Sequence, residues 1–108
     1  VETYQERVLD ALGDATRRSV LNRLRGGALS VAEIAEGMDV TRPAVSQHLK
    51  ILKAAHLVID RAEGTRRLYT VDARGIGALR KWLERFWNEA LVSFKAMAER
   101  EAVKERKS

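Results

Sequence analysis

From Ile76 to about Val103, apolar side chains recur at helical spacing: Leu79, Trp82, Leu83, Phe86, Ala90, Leu91, Phe94 and Met97. A continuous helix over that span is about 42 Å long. A compact domain of this chain length has a diameter of roughly 34 Å, so the helix overshoots the globule that would have to cover it. Four of the six aromatic residues, Trp82, Phe86, Trp87 and Phe94, lie on this segment. One solution is a second copy of the chain, with the Tyr4–Val8–Leu12 stripe of the first helix packing alongside. The expected dimer interface is then Tyr4, Val8, Leu12, Leu79, Trp82, Leu83, Phe86, Trp87, Ala90 and Phe94. The other solution is a core helix of one chain that bends or ends earlier. A third use of the same surface is a pocket for a small apolar effector between the dimer helices, although no polar anchoring group for it can be named from sequence.

The 108 residues suit one domain, 1–108, with 45% hydrophobic and 32% charged residues, the profile of a folded, soluble chain. No apolar run approaches the ~18 residues of a membrane span, and no signal peptide precedes the first helix. A cytoplasmic protein with no membrane partner is expected. The absence of cysteine excludes disulfides, thiolate metal sites and thiol redox switches. Ser19, Ser30, Ser46 and Ser93 have no histidine placed to activate them, and no phosphate loop or carboxylate pair appears, so no enzyme is expected.

Along the chain, "TYQERVLDALG" reads as a short amphipathic helix ended by Gly13, and Asp14 caps a second helix that stops at Gly26-Gly27. Ser30 and Glu33 form a capping-box pattern ahead of a short helix, about 31–37. Thr41 caps a fourth helix, to about Ala55, with Pro43 in its first turn. In the turn between these two helices Asp39 is expected in the left-handed region, and Gly37 to soften the helix end. "LVIDR" and "RLYTV", separated by a Glu63-Gly64 turn, form a hairpin. Asp72 opens a loop before the long last helix, about 76–103, and the terminal "KERKS" frays. The fold is mainly α with a small β-hairpin, in the order α-α-α-α-β-β-α. Its helix-turn-helix occupies about 31–55 and its wing about 57–71, giving a winged helix-turn-helix, dimeric through its first and last helices.

With Val45, Leu49 and Leu52 turned inward, the fourth helix presents Arg42, Ser46, Gln47 and Lys50 outward, with Ile51 the apolar exception among them. Arginine and glutamine make bidentate contacts to base edges, lysine and serine reach phosphates or bases, and Ala44 leaves room. Residues 41–70 hold six cations against Asp60 and Glu63, which is +4 of the chain's net charge of +5. A localised basic patch favours a polyanion, with nucleic acid ahead of a membrane surface. Arg61, Arg66 and Arg67 flank the wing turn and are expected to reach phosphates or the minor groove. The two histidines, His48 and His56, are eight residues apart, ~12 Å along one helix, and cannot share a zinc ion within one chain. His48 half-buries its ring, His56 acts as an unusual helix cap, and no metal or cofactor is expected.

The stretch from "DALGDATRR" through "VSQHLKIL" to the "LV…R.EG..R.Y" wing resembles the arsenic-repressor-type (ArsR/SmtB) family of bacterial winged-helix transcription factors, over roughly residues 5–95. The resemblance implies a homodimeric repressor of double-stranded DNA, with Thr41, Arg42, Pro43, Ala44, Ser46, Gln47 and Lys50 reading an inverted-repeat operator. Metal-sensing members place cysteines where this chain has "LSVAEIAE", or Asp and His ligands where it has "LRKWLERFWNEAL". Neither ligand set is present, so the chain is similar to a metal-independent branch whose effector is unknown. A winged-helix protein-interaction module is the alternative function, and the clustered charge argues against it.

Overall fold

The computed structural model describes residues 3–107. Val1, Glu2 and Ser108, which fall within the expected domain, lie outside the described residues. Polar caps set where the helices begin. Thr3 with Glu6, and Ser30 with Glu33, form reciprocal capping boxes at the heads of α1 (Tyr4–Ala11) and α3 (Val31–Glu36). Asp14 accepts the Arg17 N–H to open α2 (Ala15–Arg23), and Thr41 accepts the Ala44 N–H to open α4 (Arg42–Ala54). The "DATRR" segment also serves the helix before it. Arg17 and Arg18 donate to the carbonyls of Ala11 and Leu12 at 3.0 and 2.6 Å, satisfying acceptors that the end of α1 leaves bare. A 3-10 turn and Gly27, at φ 136°, then end α2.

Strands β1 (Val58–Glu63) and β2 (Arg66–Val71) pair antiparallel, from Val58 opposite Val71 to Glu63 opposite Arg66. The two residues left over are Gly64 and Thr65, so the turn sits one residue later than the expected Glu63-Gly64. Gly64 has φ 64° and Thr65 does not share the positive region, the pattern of a type II′ hairpin turn. Leu29 exchanges both backbone hydrogen bonds with Tyr69, at 3.0 and 2.8 Å, and so ties the wing to the segment before α3. The observed order is the expected winged helix-turn-helix, completed by α5 (Ala73–Lys107).

The core lies where α1, α2 and α3 meet α4. Val8, Val20, Ile34, Val45, Leu52 and Leu57 are fully buried, and each such side chain stabilises the fold by about 1.5–3 kcal/mol. Val8 corrects the expected dimer face: it is spent inside the chain's own core, because α1 packs against both α4 and α5. Tyr4 and Leu12 remain half-buried at the edge of that core. Asp39 is a second correction. His56, at φ 57°, is the one non-glycine residue with positive φ among the described residues. Gly37 has an ordinary φ of −88°. A side chain there would displace the guanidinium of Arg23, which donates to the Glu33 carbonyl at 3.0 Å.

Helix α5 begins three residues earlier than expected, because Asp72 caps it rather than opening a loop. The Asp72 carboxylate accepts the Arg74 N–H at 3.0 Å, and the His56 carbonyl accepts the Gly75 N–H at 2.8 Å. Residues 104–107, expected to fray, remain helical. Of the whole helix only Gly75 and Ala78 are buried. Beyond them Leu83, Phe86, Trp87, Leu91, Phe94 and Met97 are 40–70% exposed. The molecule accordingly measures 74 × 27 × 27 Å, with a radius of gyration of 20.1 Å. A compact chain of this length would have about 13 Å. Among the described residues no helix is long and apolar enough to cross a membrane.

Two glycines of α5 should respond in opposite directions to the same change. A Cβ on Gly75 would collide with the His56 carbonyl, whereas one on Gly77 meets nothing within 4 Å. In urea unfolding, Gly77→Ala should stabilise by about 0.5–1 kcal/mol and Gly75→Ala should destabilise by about 2 kcal/mol or more.

Candidate nucleic-acid interface

Burial of Val45, Leu49 and Leu52 fixes what the rest of α4 presents. Thr41, Arg42, Pro43, Ser46, Gln47 and Lys50 are exposed, and Ala44 is half-buried. No side-chain hydrogen bond or ion pair within the described residues engages Arg42, Ser46, Gln47 or Lys50. The result is one continuous surface of two cations, an amide and a hydroxyl, all with free donors. At its N-terminal end Pro43 has no N–H to satisfy, and the positive end of the helix dipole adds to the attraction for anions. Ile51, 41% exposed, is the apolar exception on this side.

The histidines take the expected structural places. His48 is half-buried, its Nδ1 enclosed without a partner. His56 stands just past the end of α4, where Leu57 N–H bonds the Leu52 carbonyl at 2.9 Å and His56 N–H bonds Lys53 at 3.0 Å. These two bonds are a Schellman ending, which places His56 in the left-handed conformation that glycine usually fills. Its ring lies 5.4 Å from that of Tyr4. Among the described residues no group of three or more His, Cys, Asp or Glu side chains is placed to hold a metal ion.

The wing cations are held differently. Asp60, its side chain only 6% exposed, receives Lys53 from α4 at 2.7 Å and Arg67 from β2 at 2.6 Å. Arg66 reaches Glu33 of the α3 capping box at 3.3 Å. Arg61 is loosely paired with Glu63 at 3.5 Å, both ends well exposed. All three wing arginines are exposed, but Arg66 and Arg67 are held by acids at hydrogen-bond distance. Sequence reasoning missed the acceptor Glu33, thirty-three residues upstream of Arg66, and the role of Lys53. The Asp60–Arg67 pair could have been found from strand register, because Arg67 lies two residues along from Tyr69, the residue opposite Asp60.

These contacts lower the acids. Lys53, and then Arg67, hold the Asp60 carboxyl below the usual carboxylate range, while Asp60 raises Arg67. Glu33 is lowered by the backbone and hydroxyl of Ser30, and less by Arg66. Arg74 lowers Asp72, through a bidentate pair with a shortest contact of 2.7 Å.

A helix-turn-helix domain family matches residues 12–61. The HTH-type transcriptional regulator Rv2034 of Mycobacterium tuberculosis is 48% identical over 103 residues, 94% of this chain and 96% of that protein. The transcriptional repressor SdpR of Bacillus subtilis is 33% identical over 82 residues, 76% of this chain and 91% of SdpR. The solved structure of an ArsR-like transcriptional regulator from Rhodococcus sp. RHA1 superimposes with a TM-score of 0.74 at 28% identity, covering 88% of this chain and 92% of that one. The homodimeric winged helix-turn-helix DNA-binding domain of Mb0332 from Mycobacterium bovis superimposes with a TM-score of 0.62 at 30% identity, over 79% of each chain.

Because Glu33, Asp60 and Asp72 have lowered pKa values in the folded chain, they titrate below their unfolded values. Their stabilisation is complete above the unfolded carboxylate pKa of about 4 and is lost as pH falls through the lower folded values. Thermal unfolding at pH 7 and pH 3 should show this loss, and Asp60→Asn should narrow the difference between the two melting temperatures.

Proposed function

Since the chain belongs to the ArsR/SmtB-type family of winged helix-turn-helix, DNA-binding transcriptional regulators, we propose that it acts as a homodimeric repressor of an inverted-repeat operator, without a metal in its signal. One observation carries the DNA-reading assignment: the outward face of α4 is polar, basic and unpartnered. In this reading α4 lies in the major groove, Gln47 and Arg42 read base edges, and Ser46 and Lys50 take phosphates or bases. Thr41, Pro43 and Ala44 line the entry, where small side chains allow close approach.

Wing contacts start from Arg61, the least firmly held of the three arginines. Arg66 and Arg67 stay with Glu33 and Asp60, or exchange those acids for phosphates at a cost in wing stability. Dimerisation is supported by the apolar face of α5, which the chain leaves exposed at Leu83, Phe86, Trp87 and Phe94 with Trp82 and Ala90 half-buried among them and Leu79 resting on the chain's own core, and by the homodimeric Mb0332 domain. Tyr4 and Leu12, at the edge of the core, complete that face. Repression follows the example of SdpR. Metal independence rests on the lack of cysteine and on the separation of His48 and His56.

Selection of bound duplexes from random DNA should return an inverted repeat with half-sites about one helical turn, or a multiple of it, apart. An unstructured pool bound only at low salt would sink the operator reading. Gln47→Ala should relax preference at one or two positions per half-site; equal weakening on every sequence would remove Gln47 from base readout. Asp60→Asn should release Lys53 and Arg67 to phosphates, steepening the log–log salt dependence of binding by about 1–2 per protomer.

A further inference from the structure

Where the end of α1, the outer face of α2, the last residue of β2 and the first turns of α5 meet, a groove of about 330 Å³ remains open. Leu12, Leu21, Val71 and Ile76 form its apolar walls. On one rim stand Arg18 and Arg25, and no carboxylate lines it anywhere. We propose that this groove binds a small organic carboxylate with an apolar body, as the effector site of the regulator.

Three independent features support that occupant. The first is shape: the volume lies at the lower end of the range for small-molecule sites, and its walls are mainly apolar. The second is charge. Among the described residues neither Arg18 nor Arg25 forms an ion pair, and no carboxylate lines the groove between them, so the charge there is uncompensated within the chain. The third is fixed orientation. Arg18 is anchored through one Nη to the Leu12 carbonyl at 2.6 Å, and Arg25 through one Nη to Asn22 Oδ1 at 3.1 Å. A guanidinium has five N–H donors, so each keeps a free edge of donors for an anion after that single anchoring bond. Arg18 stands on α2 and Arg25 in the 3-10 turn that follows it, and both line the groove beside Leu21 and Asn22. Apolar walls with two uncompensated, anchored guanidiniums match a carboxylate head on a hydrocarbon or aromatic body. A bare anion would leave the walls wet, and a neutral hydrocarbon would leave the cations unused.

The place is suited to transmission. Val71 ends the wing and Ile76 begins the uncovered face of α5, with the Asp72–Arg74 pair between them. A molecule wedged there touches the helix-turn-helix scaffold, the wing and the dimer helix together. This consequence rests on the regulator reading, but the binding itself does not, and the test separates them.

The full chain, without DNA, is titrated with decanoate, decanol and inorganic phosphate and followed by amide chemical shifts in NMR. Saturable decanoate shifts centred on Leu12, Leu21, Val71 and Ile76, weakened about tenfold in Arg25→Gln and in Arg18→Gln, are expected. Arg25 caps no helix, so its replacement leaves the fold intact, and unchanged shifts elsewhere in the spectrum check this. Equal affinity for decanol, equal affinity for phosphate, or decanoate shifts centred on the Leu83–Phe94 face would each overturn the proposal. So would no binding, the result expected if an acidic side chain of a second copy fills the groove. A parallel titration on the selected operator reads the regulatory consequence. Loss of DNA affinity with decanoate in the parent chain but not in Arg25→Gln supports the effector role, and no change restricts the groove to binding alone and overturns it. If no operator can be selected, the regulator reading fails while the NMR result still stands or falls by itself.

Discussion

A single carbonyl, that of His56, joins the parts of this molecule that have to work together. His56 is in the left-handed conformation, which costs a non-glycine residue roughly 1–2 kcal/mol. The Schellman bonds that impose this conformation also end α4. They turn the His56 carbonyl onto the Gly75 N–H, a donor that the first turn of α5 would otherwise leave bare. One residue on, Leu57 accepts the Asp72 N–H at 2.9 Å and closes the root of the wing. The end of α4, the wing and the long helix are thus set by adjacent backbone bonds, and Gly75 is required because any side chain there would occupy the carbonyl's place.

Charge is divided across the side formed by α4 and the wing. On α4, Arg42 and Lys50 are free, so binding a phosphate or a base requires no internal bond to break. On the wing, Asp60 holds Arg67 across the hairpin and Lys53 from α4, and Glu33 of α3 holds Arg66, so the hairpin is tied to both helices before any ligand arrives. Preorganisation of this kind reduces the ordering cost of association and sacrifices part of the Coulombic attraction. A net charge of +5 therefore overstates what is available to a polyanion.

Much of this was legible in the residues, and the failures have a common cause. Caps, glycines and apolar periodicity are local, and they located all five helices and the hairpin to within a few residues. The outward face of α4 followed from the same periodicity. What depended on distant partners was not legible. The fate of Val8 turned on how closely α1 packs against α4 and α5, and both pairings of the wing arginines on acids that only the folded wing brings near. Asp39 was misplaced because the strain of a left-handed residue lay at the other end of α4. The cap made by Asp72 is not legible in sequence, because nothing local shows that its carboxylate accepts the backbone N–H two residues on.

The 35-residue α5 is attached to the globule only at its first turns. In mechanical terms it is a lever of about 50 Å with its fulcrum at the His56–Gly75 joint. A tilt of about 5° at that fulcrum sweeps the far end through roughly 4 Å, about the rise of three helical residues. The gearing also runs the other way. A few ångströms of sideways displacement imposed on the far end are reduced to a small rotation at the fulcrum, where the wing root and the end of α4 are fastened.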